Sequence, residues 1–157
     1  MFLNDAWIRR VDSGWQELLA TVKSYPPEEL TRPNVIGAWS VKDLLVHISS
    51  WETEFLQAMP LILADQRLPR YSTTYGGIDA FNALVQERAK GLPQDEVLRA
   101  FAQSHERLVA AIRSLAPALL QGRPRTHQRL ARRLRQDTYG HYAEHALELP
   151  RWRGANS

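Results

Sequence analysis

The stretch W-S-V-K-D-L-L-V-H-I-S-S-W-E, Trp39 to Glu52, announces a helix and carries a histidine on it. Ser40 can cap the N-terminus, and Asp43, three residues on, can answer as an acidic variant of the capping box. Trp39 and Leu44 are spaced for a hydrophobic staple. From Val41 the apolar residues Leu45, Ile48, Phe55 and Met59 recur at helical spacing, which carries the helix to about Leu63.

Outward from this stretch the same periodicity recurs, with no alternating run that would make a strand. A first helix is predicted from about Asp5 to Ser24 on Trp7, Ile8, Val11, Trp15, Leu18, Leu19 and Val22, and Pro26-Pro27 ends it. Gln66 to Gly77, with Pro69, Gly76 and Gly77, reads as a loop before a shorter helix from about Ile78 to Lys90. A long helix follows from about Gln94 to Leu115. Pro117, Gly122 and Pro124 then bound a loose segment, and the last helix is predicted from about Leu130 or Gln136 to Trp152. The expected fold is all-α: a four-helix bundle with one short extra helix between the second and third long helices, forming a single domain over residues 1–157.

Composition narrows the function. A chain of 157 residues that is 44% apolar and 24% charged can bury roughly two-thirds of its unfolded surface, so any metal would serve function rather than folding. With no cysteine, disulfides, thiolate zinc sites, iron–sulfur clusters and a cysteine nucleophile are excluded. The absence of a signal-like start and of a long apolar run leads to the expectation of a cytoplasmic protein without a membrane span. The net charge of +3 is uneven: Arg123, Arg125, Arg129, Arg132, Arg133 and Arg135 fall together with no acid before Asp137. This segment raises nucleic-acid binding as a reading, but it has no aromatic for base stacking and no accompanying DNA-binding motif. A solvated face paired with Asp137 or with acids on nearby helices is the plainer account.

The histidines carry the sharper signal. At 100° per residue from Leu134, His141 falls at about 340° and His145 at about 20°, on the stripe completed by Leu149 and Trp152. An i, i+4 pair stacks two imidazoles on one face, the spacing by which a helix offers two nitrogens to one metal; the bland alternative is a pair of hydrogen-bonded core histidines. A third ligand must come from another helix. His47, at about 240° from Val41, lies at the edge of its stripe facing a neighbour, and His105, bordering the core face of the third long helix, is the competitor. His127, among arginines, reads as solvated. H-Y-A-E-H also satisfies the pattern of the inverted zinc peptidases, but Glu144 falls off the stripe and reads as solvated or as a support for a ligand.

Trp39 to Glu52, together with D-T-Y-G-H-Y-A-E-H, Asp137 to His145, resembles the DinB-like superfamily of four-helix bundles, and the likeness extends over most of the chain. The resemblance implies one divalent metal, commonly zinc or nickel, on the histidine of the second helix and the two of the last, here His47, His141 and His145. It also implies a possible homodimer. The chemistry of such proteins varies: thiol-dependent transferases, a maleylpyruvate isomerase relative, hydrolases and ClbS-type toxin-resistance proteins, so the fold says little about substrate.

A metal on neutral imidazoles keeps its charge and leaves a coordination position open. With no cysteine in the chain, a thiol nucleophile would have to be a low-molecular-weight cosubstrate. Asp43, one turn before His47, and Glu148, three after His145, are candidates for a general base or for orienting a ligand; Asp43 is also explained by capping. Trp39, Trp51 and Tyr142 could line an apolar mouth, or be bundle core. The leading expectation is a metal-dependent hydrolase or thiol transferase acting on a small molecule in detoxification or stress metabolism. The alternative is a metal-bearing bundle that sequesters a small toxic compound without turnover.

Overall fold

Two long helices open the chain, α1 (Leu3–Lys23) and α2 (Val41–Leu63), in a computed structural model that describes residues 3–155. Between them a bridge pairs Ile36 with Trp39 around Gly37, whose φ of 58° is the left-handed conformation that glycine adopts without cost. The chain then enters α2 through a full capping box: Ser40 Oγ accepts from the Asp43 amide at 3.1 Å, and the Asp43 carboxylate accepts from the Ser40 amide at 2.9 Å. Ser40→Ala is expected to cost about 1 kcal/mol, read as a lower midpoint in urea unfolding at unchanged slope.

The stretch expected as loop contains a single helical turn, α3 (Tyr71–Thr74), followed by α4 (Ile78–Ala89) and α5 (Gln94–Ser114). The turn closes because the Thr74 and Tyr75 amides donate to the Arg70 and Tyr71 carbonyls, and Gly76 and Gly77, both at positive φ, stop it. The end of the chain also departs from expectation. The helix begins earlier than the expected Leu130 or Gln136, as α6 (Pro124–Asp137) with Pro124 at its first turn, and the expected single last helix is broken in two, the second piece being α7 (Tyr139–Ala155). The two meet at Thr138, whose φ of −133° and ψ of −108° are not helical. Thr138 N and Oγ1 both donate to the Leu134 carbonyl, and the Tyr142 amide donates to the Thr138 carbonyl. The hydrogen-bond ladder therefore runs across the bend. Gly140 makes the bend possible, because a Cβ there would lie 2.7 Å from the Arg135 carbonyl oxygen.

Among the described residues the chain is all helix, with no strand, and no helix is long and apolar enough to cross a membrane. α2 packs on α5, α6 and α4, while α1 packs on α7 and α5. One connected core results, in which Val11 and Leu18 of α1, Leu44, Ile48 and Phe55 of α2, Phe101, Leu108 and Ile112 of α5, Leu130 and Leu134 of α6 and Tyr142 and Leu149 of α7 are buried. The side chain of Trp152, expected on the inward stripe, lies outside the described residues.

Three of the six arginines of the basic segment are committed to this architecture, and Arg125, Arg132 and Arg135 are exposed. Arg123 donates to the Leu63 carbonyl and Arg129 to the Gln66 carbonyl and Asp65, so cations close the C-terminal end of α2, where orphan carbonyls and the helix dipole favour them. Arg133 pairs with the buried Asp137. His127, expected in solvent, instead stacks on Trp7 with ring centroids 5.4 Å apart.

Candidate metal centre

His47 on α2 and His141 and His145 on α7 converge. The Nε2 atoms of His47 and His141 are 3.0 Å apart, those of His141 and His145 2.8 Å, and the possible ligand atoms of all three lie within 4.8 Å of one another. His47 is buried, and its partners are half-buried at the surface of the same cluster. Such a group could hold a metal ion.

The protonation arithmetic favours that use. A ring nitrogen offers either one proton or one lone pair in its plane, so His141 Nε2, set between two other ring nitrogens, can satisfy only one of its two contacts by hydrogen bonding. His47 Nδ1 and His141 Nδ1 are buried without a partner. A cation at the convergence point would engage three lone pairs at once, as imidazole ligands do in zinc sites. Burial first, and then the repulsion that a second imidazolium would meet beside His145, holds His47 down to about 3. Burial, His145 and His47 together hold His141 down to about 2. Both rings are therefore neutral near pH 7, the state in which imidazole coordinates.

The supporting residues divide. Glu148 Oε2 lies 2.7 Å from His145 Nδ1, which places the proton on Nδ1 and leaves the Nε2 lone pair facing the cluster. Asp43 is engaged at the α2 N-terminus with both the amide and the hydroxyl of Ser40. Trp39 meets the His47 ring edge-on at 4.7 Å, and Trp51 stands 6.2 Å from His47 and 6.0 Å from His141, so two indoles flank the cluster. Trp51 Nε1 is buried without a partner. Glu144 is exposed.

His105 belongs elsewhere. It stacks on Trp15 at 4.4 Å and its Nε2 lies 2.9 Å from Asp12 Oδ1, joining α5 to α1, and burial lowers its pKa against the pull of Asp12. Tyr142 is fully buried, and its hydroxyl donates to Glu52 at 2.5 Å. Glu52 itself has no solvent exposure. Burial pushes its carboxyl up to about 7, opposed by Ser104, Tyr142 and Arg107. Sequence reasoning passed over Glu52, although it falls at about 20° from Val41, the centre of the apolar stripe; a carboxylate there is itself a signal.

An all-helical protein with two histidines of its last helix set against one of α2 is thereby defined. The sequence model of the DinB superfamily matches residues 10–148, and the chain belongs to that superfamily. Neither a curated protein nor a solved structure matches the chain significantly.

Proposed function

We propose that His47, His141 and His145 bind one divalent metal ion and that the protein uses it as a hydrolase or thiol-dependent transferase on a small molecule. The observation that carries this reading is the convergence of three Nε2 atoms, two of them on rings whose other nitrogen is buried and unpartnered. In this reading α1, α5, α2 and the α6–α7 pair form the four-helix bundle of the superfamily. Zinc or nickel is the expected ion, since neutral imidazoles suit both.

When bound, the ion would supply Lewis acidity at an open coordination position, polarising a carbonyl or making a coordinated water or thiol more acidic. The chain supplies the rest. Glu148 holds His145 in the coordinating tautomer, and Trp39 and Trp51 give the site apolar flanks against which a small substrate can shed water. Any thiol would come from a low-molecular-weight cosubstrate, because the chain has no cysteine.

Incubating zinc- or nickel-loaded protein with a panel of electrophiles and esters, with and without low-molecular-weight thiols, tests the activity. Multiple turnovers that need the metal support the reading, and stoichiometric capture without turnover replaces it with sequestration. Glu148→Gln is expected to weaken zinc binding about tenfold, because the amide no longer draws the Nδ1 proton as a carboxylate does. An unchanged affinity in a chelator competition would leave Glu148 as a surface partner only.

A further inference from the structure

Trp51 has a second neighbourhood. One side of its environment is the histidine cluster; on another it stacks on Tyr71 at 5.4 Å, and Tyr71 walls a cavity of about 150 Å³. That is room for a benzene-sized group. Leu61 and Leu68 make the cavity apolar, Tyr71 and Tyr75 add ring faces, and its only two charged side chains are Glu54 and Arg133.

The two charges are not equally provided for. Arg133 forms an ion pair with Asp137 at 2.5 Å, donates to the Tyr71 hydroxyl at 2.8 Å and lies over the Trp51 and Tyr71 rings, so its charge is already met on several sides. Glu54 has only neutral partners: the Tyr71 hydroxyl donates to Oε2 at 2.6 Å and the Tyr75 hydroxyl to Oε1 at 3.3 Å. Among the described residues no cationic nitrogen lies within ion-pair distance of it. Arg88, which lines an adjoining hollow with Glu54 and Tyr75, does not pair with it. A half-buried carboxylate with no direct ion pair, which Arg133 reaches only through the Tyr71 hydroxyl, beside aromatic faces and an apolar hollow, is complementary to a cation that carries an apolar group.

We propose that this cavity binds the ammonium end of a small amine bearing an apolar ring, with Glu54 as its counter-ion and Tyr71 and Tyr75 as its walls. A carboxylate ligand would have to share Arg133 with Asp137 and face Glu54 as a like charge. The site does not depend on the metal reading, although Trp51 adjoins both places and reports on either.

The test is a titration of the full chain, stripped of metal, with benzylamine, benzyl alcohol and benzoate, followed by Trp fluorescence and calorimetry and then repeated with zinc. Benzylamine is expected to bind saturably without zinc, with the alcohol and benzoate each at least about tenfold weaker. Glu54→Gln should weaken benzylamine about tenfold. Thr74→Trp, at an exposed position on the cavity wall, should block it without touching the core. The proposal is overturned if benzoate or the alcohol binds as well as the amine, if no probe saturates at millimolar concentration, or if both folded variants bind benzylamine like the native chain. Benzylamine binding that appears only with zinc would also overturn it, by moving the amine to the histidine cluster.

Discussion

Replacing His141 by alanine is expected to lower zinc affinity by at least about a hundredfold while leaving the helices intact. Its Nε2 is the atom shared by both close contacts of the cluster, so its removal leaves His47 and His145 without the middle ligand. Losing a supporting hydrogen bond to a metal ligand already costs about ten- to a hundredfold, and losing the ligand itself costs more. The fold should tolerate the change because the ring is only half-buried and its Nδ1 has no partner to lose. His47→Ala should behave alike. His105→Ala should leave zinc affinity unchanged and instead lower stability, since it gives up the Asp12 contact and the stacking on Trp15. Competition with a chromophoric chelator reads all three. Loss of binding in His105→Ala with His141→Ala spared would refute the ligand assignment.

The largest effect on stability is expected at Tyr142. Truncation to alanine removes a fully buried ring between α7 and the rest of the core and should cost about 3–5 kcal/mol. Tyr142→Phe keeps the ring but takes the donor from Glu52, whose second oxygen already lacks a partner, and should cost about 1–3 kcal/mol. The pH dependence separates the hydrogen bond from the packing. Burial raises the Glu52 carboxyl from 4.5 to about 7, so the folded state holds that proton more tightly than the unfolded chain does. The stability this contributes is complete below the unfolded value and declines as pH rises towards about 7. Glu52→Gln carries no such proton, so its thermal midpoint should gain on the native protein across that window and level off above it. A constant offset between the two across the same range would mean that folding does not raise the Glu52 carboxyl.

How far the sequence reaches can be seen at particular residues. The capping box of Ser40 and Asp43 was legible because it is local, both partners lying within one turn. The inward direction of His141 and His145 was legible although the counting ran from Leu134 through a bend not foreseen, because the Leu134 to Thr138 and Thr138 to Tyr142 hydrogen bonds keep the ladder in phase. The bend was hidden: no proline marks it, and what permits it is the close approach of Gly140 to a carbonyl five residues back. The reach of α6 back to Pro124 was obscured by its charge, for Arg129, like Arg123 just before the helix, finds its partners at the end of α2, contacts between segments that periodicity does not reveal, whereas the Arg133–Asp137 pair lies one turn apart on the same helix and was legible. The pairing of His105 with Asp12, and of Tyr142 with Glu52, likewise depends on which helices face each other.

X-ray absorption at the zinc edge of the zinc-loaded chain, combined with elemental analysis, tests the three-histidine site most directly. One zinc per chain with three imidazole nitrogens and one light exchangeable donor is the predicted result. No stoichiometric zinc, or a zinc carrying fewer than three imidazoles in the native chain, would contradict it.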